Sequence, residues 1–366
     1  MVSNQLKQQT KKMLIVNPFG IGDVLFTTPL ISVLKKEMPD TSIFYWSNIR
    51  VRPILMNNPN LDKIFSLSRG DIKKIYQKSK LKGIKEFLRL LYDIKSEHFN
   101  LALDFSLDYR YSLLLRVLGV KRIIGFDYRN RGRFLTDRIK IEGYENKHVV
   151  EYCLDALKFL NIEAKGKPRM ELCVSDVDKV GADKFLKTNN LKADDLLIGV
   201  APAGGVSWGE NATYLHWPEE NFTSLCDTLI NKDNAKIILF GSLDEIGICE
   251  RVGTSLEDNV INTAGKLTLG QYVALFEKCK IAICNDAGPL HIAVALGLKT
   301  VSICGPVDEW VYGPYPPNQN HIVIKKDLTC RPCYHNFRFT GCANQHRCLE
   351  DITVDEVYSA VKRLMG

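Results

Sequence analysis

The sequence predicts an α/β protein built from two doubly wound, Rossmann-like domains that face each other across an interdomain cleft. Three observations carry that expectation. Short apolar strands alternate with helical stretches along the chain; strands in both halves end in glycine-rich turns that lead straight into helices; and a polar change of register near the middle separates the halves. A chain of 366 residues exceeds what one core usually serves. The expected boundary gives residues 1–185 as the first domain and 186–366 as the second.

With 45% hydrophobic and 25% charged residues, the composition is that of an ordinary globular protein. A net charge of +7 points to an acidic partner, and nucleic acid, an anionic membrane surface or a phosphorylated substrate all fit its sign. No nucleic-acid-binding motif accompanies the charge, so nucleic acid is set aside. No apolar run approaches the roughly 20 residues that a bilayer core requires. The opening stretch 1–12 is polar, and the apolar run after it is only Met13 to Val16, a strand too short for a signal sequence. Eleven cysteines would suit either redox compartment, but Cys153, Cys226, Cys279, Cys284 and Cys304 lie in apolar runs, as buried free thiols do. A cytoplasmic enzyme is expected.

Residues 13–17 form the first strand, and Pro18-Phe19-Gly20-Ile21-Gly22-Asp23 is its turn. The helix over 24–36 places Leu25, Leu30, Ile31 and Leu34 on one side, with Pro29 near its first turns. The turn lacks the third glycine of the dinucleotide fingerprint and the Gly-Lys-Ser/Thr of a P-loop, which argues against a Rossmann dehydrogenase and a P-loop kinase. Asp23 either caps the helix or projects a carboxylate into the space that the glycines leave for a ligand. Strands follow at 42–46 and 63–67. The stretch 71–95 is helical and basic, with Lys73, Lys74, Lys78, Lys80, Lys82, Lys85 and Arg89 interleaved with Leu81, Ile84, Phe87, Leu88 and Leu91. The preferred reading is a solvated face over a packed one; the sharper alternative is a surface resting on anionic lipid headgroups.

A strand at 101–106 ends near Asp104 and Asp108, which could face a ligand cleft. Residues 122–126 lead into a basic loop in which Arg129, Arg131 and Arg133, at alternate positions, can grip phosphate or carboxylate bidentately or simply be solvated. A helix over 148–160, a short strand at 171–174 and a polar helix ending at Asn189-Asn190 close the first half. The second half opens with a strand at 196–202 and Ala203-Gly204-Gly205, then His216-Trp217-Pro218, whose proline starts a helix containing Phe222, Leu225 and Leu229. The strand at 236–242 ends at Gly241, and Glu245 beyond it suits either ribose hydroxyls or the charge preference of a helix start. The strand and turn at 260–266 end on Lys266.

The densest signal is Cys284-Asn285-Asp286-Ala287-Gly288-Pro289-Leu290-His291, between a strand at 280–283 and a helix ended by Gly297. Such a turn aims backbone N–H groups at the strand's carboxyl end, where phosphates would sit. Its bland alternative is a capping Asp286 and a core His291. A strand at 300–304 ending in Gly305-Pro306 stands beside it. After the last strand, 322–324, Cys330, Cys333, Cys342 and Cys348 form a C-x2-C-x8-C-x5-C array. These gaps are not a standard zinc spacing, so reduced thiols or a disulfide pair are favoured over a structural metal. The chain closes with an amphipathic helix at 354–365.

Taken together, Gly20-Ile21-Gly22-Asp23-Val24, Pro202-Ala203-Gly204-Gly205, His216-Trp217-Pro218, Phe240-Gly241-Ser242, Ala264-Gly265-Lys266, the stretch 286–291 and Gly305-Pro306 give nearly the whole chain an order and spacing that resembles glycosyltransferase family 9, the heptosyltransferase-like enzymes. The resemblance implies the GT-B arrangement, with the last helix crossing back onto the first domain, and inverting transfer of a sugar from a nucleoside diphosphate donor, ADP-heptose by implication, to a lipopolysaccharide core or related acidic glycolipid. It implies Asp23 as general base; Gly22, Gly241, Glu245, Lys266, Asp286, Ala287, Gly288 and His291 as donor-binding residues; and no required cofactor or metal. Arg129, Arg131 and Arg133 are the candidates for the acidic acceptor. One departure stands out: where the family often carries a lysine before the Trp-Pro pair, this chain has Leu215 and His216, so Lys266, His216 or a helix dipole would have to balance the diphosphate. A nucleotide-sugar 2-epimerase and a catalytically silent sugar-nucleotide-binding protein are the competing readings. Peripheral contact with the cytoplasmic face of an anionic inner membrane is the alternative that the basic helix adds.

Overall fold

The computed structural model describes residues 11–366 except 193, 257 and 258, so most of the polar opening stretch lies outside the described residues. The chain divides into two compact units, the first ending at Glu171 and the second starting at Leu172. The division falls earlier than residue 185 because the helix Asp176–Thr188 packs on Leu269–Phe276 of the second unit. There Lys278 pairs with Asp183 at 2.6 Å, and Gly270 lies so close to Asp178 that a Cβ would meet its Oδ2 at 2.6 Å.

The first unit is a six-stranded parallel sheet: β1 (Lys12–Val16), β2 (Ser42–Ser47), β3 (Lys63–Ser66), β4 (Leu101–Asp104), β5 (Arg122–Tyr128) and β6 (Asp137–Ile141), in the order β3-β2-β1-β4-β5-β6. The central strands are covered on both faces, which is why they read as unbroken apolar runs; Met13 to Val16 are wholly buried. The second unit repeats the plan with β7 (Leu197–Ala201), β8 (Lys236–Leu239), β9 (Val260–Asn262), β10 (Ile281–Asn285), β11 (Lys299–Ile303) and β12 (His321–Ile324), all parallel, in the order β12-β11-β10-β7-β8-β9. In each sheet the first strand lies beside the fourth, so the strand order reverses between β1 and β4 and again between β7 and β10. Ligands of doubly wound sheets bind outside the carboxyl ends of the strands at such a reversal.

Several elements differ from the sequence expectation for identifiable reasons. The helix over 24–36 is two pieces, Ile21–Leu25 and Thr28–Glu37, with Pro29 in the first turn of the second. The basic stretch 71–95 is a hairpin, Arg69–Lys78 and Lys80–Ser96, broken at Ser79; its extended backbone ends one helix, and its hydroxyl accepts from Lys82 N–H to start the next. Residues 171–174 form no ladder: Glu171 N–H donates to Thr28 Oγ1 at 2.9 Å instead. The helix over 148–160 is α-helical over Val149–Leu154 and then tightens to 3₁₀ geometry over Asp155–Leu160.

The last helix, Val354–Met365, packs within the second unit. Val357, Ala360, Val361 and Leu364 join the second unit's core with Val301 and Ile303, while Lys362 pairs with Asp233 at 2.5 Å. Its apolar stripe is consumed by its own sheet and by the helix Glu219–Asp233.

Candidate functional site

Each unit carries candidate residues at its own strand-order reversal. In the first unit, β1 ends at Val16, and Asn17 organises the turn that follows: its Oδ1 accepts from Phe19 N–H at 3.2 Å and its Nδ2 donates to the Asp23 carbonyl at 2.9 Å. Asn48, beyond β2, donates to the Pro18 carbonyl at 3.0 Å, so two asparagines hold the loop open. Asp23 lies in the short helix Ile21–Leu25, half-buried, with Oδ2 accepting from Gly20 N–H at 3.1 Å. Burial pushes its carboxyl up to about 6, the Gly20 amide only partly opposing the shift. The carboxylate thus closes the helix start through the Gly20 amide, as the capping reading expects.

Asp104 ends β4, opposite Val16 in register, and accepts from Ser106 N–H at 2.9 Å. Burial pushes its carboxyl up to about 6 as well. Asp108 differs: it caps the helix Tyr109–Val117 through Arg110 N–H and pairs with Arg69 at 3.4 Å and Arg110 at 3.2 Å. The three loop arginines are exposed and lie over aromatic rings, Arg129 and Arg131 over Tyr128 at 4.9 and 5.7 Å and Arg133 over Tyr109 at 4.4 Å. Asp127, accepting from Gly132 N–H at 2.7 Å, closes the loop beneath them.

In the second unit, Asn285 at the end of β10 ties the reversal together. Its Nδ2 donates to the Pro202 carbonyl at 2.8 Å, and its Oδ1 accepts from Trp217 N–H at 3.0 Å. The Gly-rich turn after β7 thus lies directly against the turn after β10. Gly204, at φ +121, is so close that a Cβ would meet the Ala287 Cβ at 2.6 Å, and a Cβ on Gly205, at φ +79, would meet Leu215 Cδ1 at 2.6 Å. Leu215 is apolar because it fills the space under Gly205, whereas His216 Nε2–H donates to the Gly204 carbonyl at 2.8 Å. Asp286, Ala287 and His291 are buried around the start of the helix Gly288–Ala295. Burial pushes the Asp286 carboxyl up to about 7, with the Cys304 thiol donating to its Oδ2 at 3.7 Å and the Arg331 guanidinium acting in the opposite direction.

Gly241 and Lys266 sit at the ends of β8 and β9, joined by Gly265 N–H donating to the Gly241 carbonyl at 3.1 Å. Lys266 Nζ donates to the Asn262 carbonyl at 2.8 Å. Glu245 closes a capping box with Ser242, its Oε2 accepting from Ser242 N–H at 2.6 Å. The fold thus gathers Gly241, Glu245, Lys266, Asp286, Ala287, Gly288 and His291 at the carboxyl edge of the second sheet. Gly22 and Asp23 lie at that edge of the first sheet, and Arg129, Arg131 and Arg133 in the turn after its β5.

Sequence reasoning missed Asn285 as the tie and Arg331 altogether. Arg331, its side chain 6% exposed, pairs with Glu309 at 3.2 Å and donates to the carbonyls of Gly305, Val307 and Lys326. A small ribbon, Tyr334–His335 paired with Arg338–Phe339, hangs from the same turn through Cys333 N–H donating to the Pro306 carbonyl at 2.8 Å. Its Tyr334 stacks on Trp208 at 4.9 Å, bracing the segment that follows Gly205. Cys330, Cys333, Cys342 and Cys348 are free thiols. Among the described residues no group of three or more His, Cys, Asp or Glu side chains is arranged to hold a metal ion.

Three comparisons show what the chain as a whole is similar to. The family model described as glycosyltransferase family 9 (heptosyltransferase) matches residues 87–343. Lipooligosaccharide heptosyltransferase 2 of Campylobacter jejuni is 24% identical over 357 residues, covering 96% of this chain and 99% of its own. Among solved structures, a family 9 glycosyltransferase from Veillonella parvula superposes with a TM-score of 0.83 at 21% identity, covering 97% of each chain. The Escherichia coli ADP-heptose lipopolysaccharide heptosyltransferase II does so with a TM-score of 0.75 at 21% identity, covering 97% of this chain and 98% of its own. The fold is that of the GT-B heptosyltransferases, and the chain belongs to glycosyltransferase family 9, the heptosyltransferases.

Proposed function

We propose that this protein transfers heptose from ADP-heptose to a hydroxyl of a lipopolysaccharide core or a related acidic glycolipid, with inversion at the sugar C1 and without a metal. The observation that carries the reading is Asp23: a half-buried carboxyl raised to about 6 at the strand-order reversal of the first unit. A base of that strength is largely ionised near neutral pH and remains able to take a proton from an acceptor hydroxyl as it attacks. One such carboxylate suffices for single displacement, because the nucleoside diphosphate leaves as a stabilised anion.

The donor would lie along the carboxyl edge of the second sheet. The first N–H groups of the helix Gly288–Ala295, near Asp286, Ala287 and His291, would take the diphosphate. Lys266 and His216 would replace the charge of the lysine absent at Leu215. Gly241 would let the nucleoside approach the backbone, with Glu245 turning its carboxylate to the ribose, and Gly22 would do the same for the sugar. Arg129, Arg131 and Arg133, which lie over Tyr128 and Tyr109, would donate to acceptor phosphate or carboxylate. The acceptor being lipid-borne, contact with an anionic leaflet is part of the proposal, as is a cytoplasmic location.

Incubation with ADP-heptose alone and with a deacylated core acceptor tests the reading. Transfer only when acceptor is present is the expected result. Conversion of the donor without acceptor would instead make the protein an epimerase, and neither transfer nor conversion, with the donor bound, would make it a silent binder.

A further inference from the structure

The helical hairpin of the first unit carries a second apolar face. Helix Lys80–Ser96 buries Gly83, Leu90 and Ile94 on one side, where Gly83 admits the other helix so closely that a Cβ would meet Tyr76 Cα at 2.8 Å. On the other side Leu81, Ile84, Leu88 and Tyr92 are 83%, 48%, 58% and 73% exposed. At 3.6 residues per turn these four fall within an arc of about 80° and run for roughly 16 Å along the helix. Lys82, Lys85 and Arg89 border the arc on one side and Lys80 on the other, while Lys95 falls within the arc, beyond Tyr92 toward the helix end. Between Arg69 and Ser96 the sequence carries nine basic and three acidic side chains, close to the whole net charge of the protein. Lys73, Lys74, Lys78, Lys80, Lys82, Lys85 and Arg89 form no ion pair among the described residues.

A solvated face needs no leucines, and a packed face needs no lysines beside it. An exposed apolar stripe edged by long cationic stems matches a surface that offers hydrocarbon and negative charge in one plane. We propose that Lys80–Ser96 docks the enzyme on an anionic lipid bilayer, with Leu81, Ile84, Leu88 and Tyr92 entering the headgroup boundary and the flanking lysines and Arg89 contacting lipid phosphates. This deepens the reading of a lipid-borne acceptor and rests on it for its purpose, but its test requires no turnover.

The test is flotation of the full chain with vesicles of phosphatidylcholine alone and of phosphatidylcholine mixed with phosphatidylglycerol. The wild type should be recovered with the anionic vesicles and left behind by the neutral ones. Leu81→Ser/Leu88→Ser/Tyr92→Ser should keep its melting temperature and its transfer to a deacylated acceptor while binding anionic vesicles about tenfold more weakly. Lys82→Glu/Lys85→Glu/Arg89→Glu should bind them about 100-fold more weakly. Equal recovery of the wild type from both vesicles would overturn the proposal, as would undiminished binding by the serine variant. A lipid-free dimer that the serine variant dissolves would do so too, because the stripe would then join two copies. Absence of sugar transfer by the wild type would strike at the catalytic reading and leave the vesicle result standing.

Discussion

In the proposed mechanism the raised carboxyl of Asp23 would couple stability to chemistry through one shift. Its folded carboxyl holds a proton up to about 6, against an ordinary 3.8, so protonation favours the native state; that contribution is present below pH 3.8 and is lost as pH rises through 6. Asp104 and Asp286 are raised by burial in the same direction, so the three carboxylates together should make the melting temperature fall between pH 5 and pH 7.5, where ordinary carboxylates no longer titrate. A melting series across that range checks this, and a rise would contradict it. Asp23→Asn should stabilise the protein at pH 7 by about 1–2 kcal/mol while lowering turnover by roughly 10²–10⁴. Wild-type kcat should climb with pH through about 6, a limb the asparagine variant lacks. The position of Asp23 at a strand end was legible in the sequence because the apolar run Met13–Val16 and the Gly-x-Gly turn precede it. Arg331 was not, because its value depends on the fold bringing it under Gly305, to which nothing in its neighbours points.

At the scale of elements, the parallel strands were readable as unbroken apolar runs, and the strands that could not be read are those that escape burial. β6, Asp-Arg-Ile-Lys-Ile, is an edge strand with alternate residues exposed, and its charges hide it. The ribbon at Tyr334–Phe339 is too short to show a period. The reversal in the second unit depends on two turns touching. Gly204→Ala, at φ +121 with a Cβ only 2.6 Å from that of Ala287, should cost about 1–3 kcal/mol and raise the donor KM. Asn285→Ala should cost about 2–4 kcal/mol by stranding the Trp217 amide and the Pro202 carbonyl. Denaturation midpoints with matched thermal-shift titrations of ADP read both; if either variant keeps wild-type stability, the two turns are not locked as described.

At the scale of the whole molecule, two units of the same 3-2-1-4-5-6 plan each present a strand-order reversal. The repetition was visible in the sequence only as a shared strand, turn and helix opening, since the residues themselves do not repeat. The position of the last helix was not visible, because an amphipathic stripe does not say which sheet it covers; here Lys362 and Asp233 pin it to its own unit. The proposed division of labour gives the donor to the second unit and the proton transfer to the first. The most direct measurement is the rate of heptose transfer from ADP-heptose to a deacylated core acceptor by Asp23→Asn, alongside its donor affinity by calorimetry. Donor affinity near wild type with transfer reduced at least about 100-fold is the predicted result. Transfer at the wild-type rate would contradict the account.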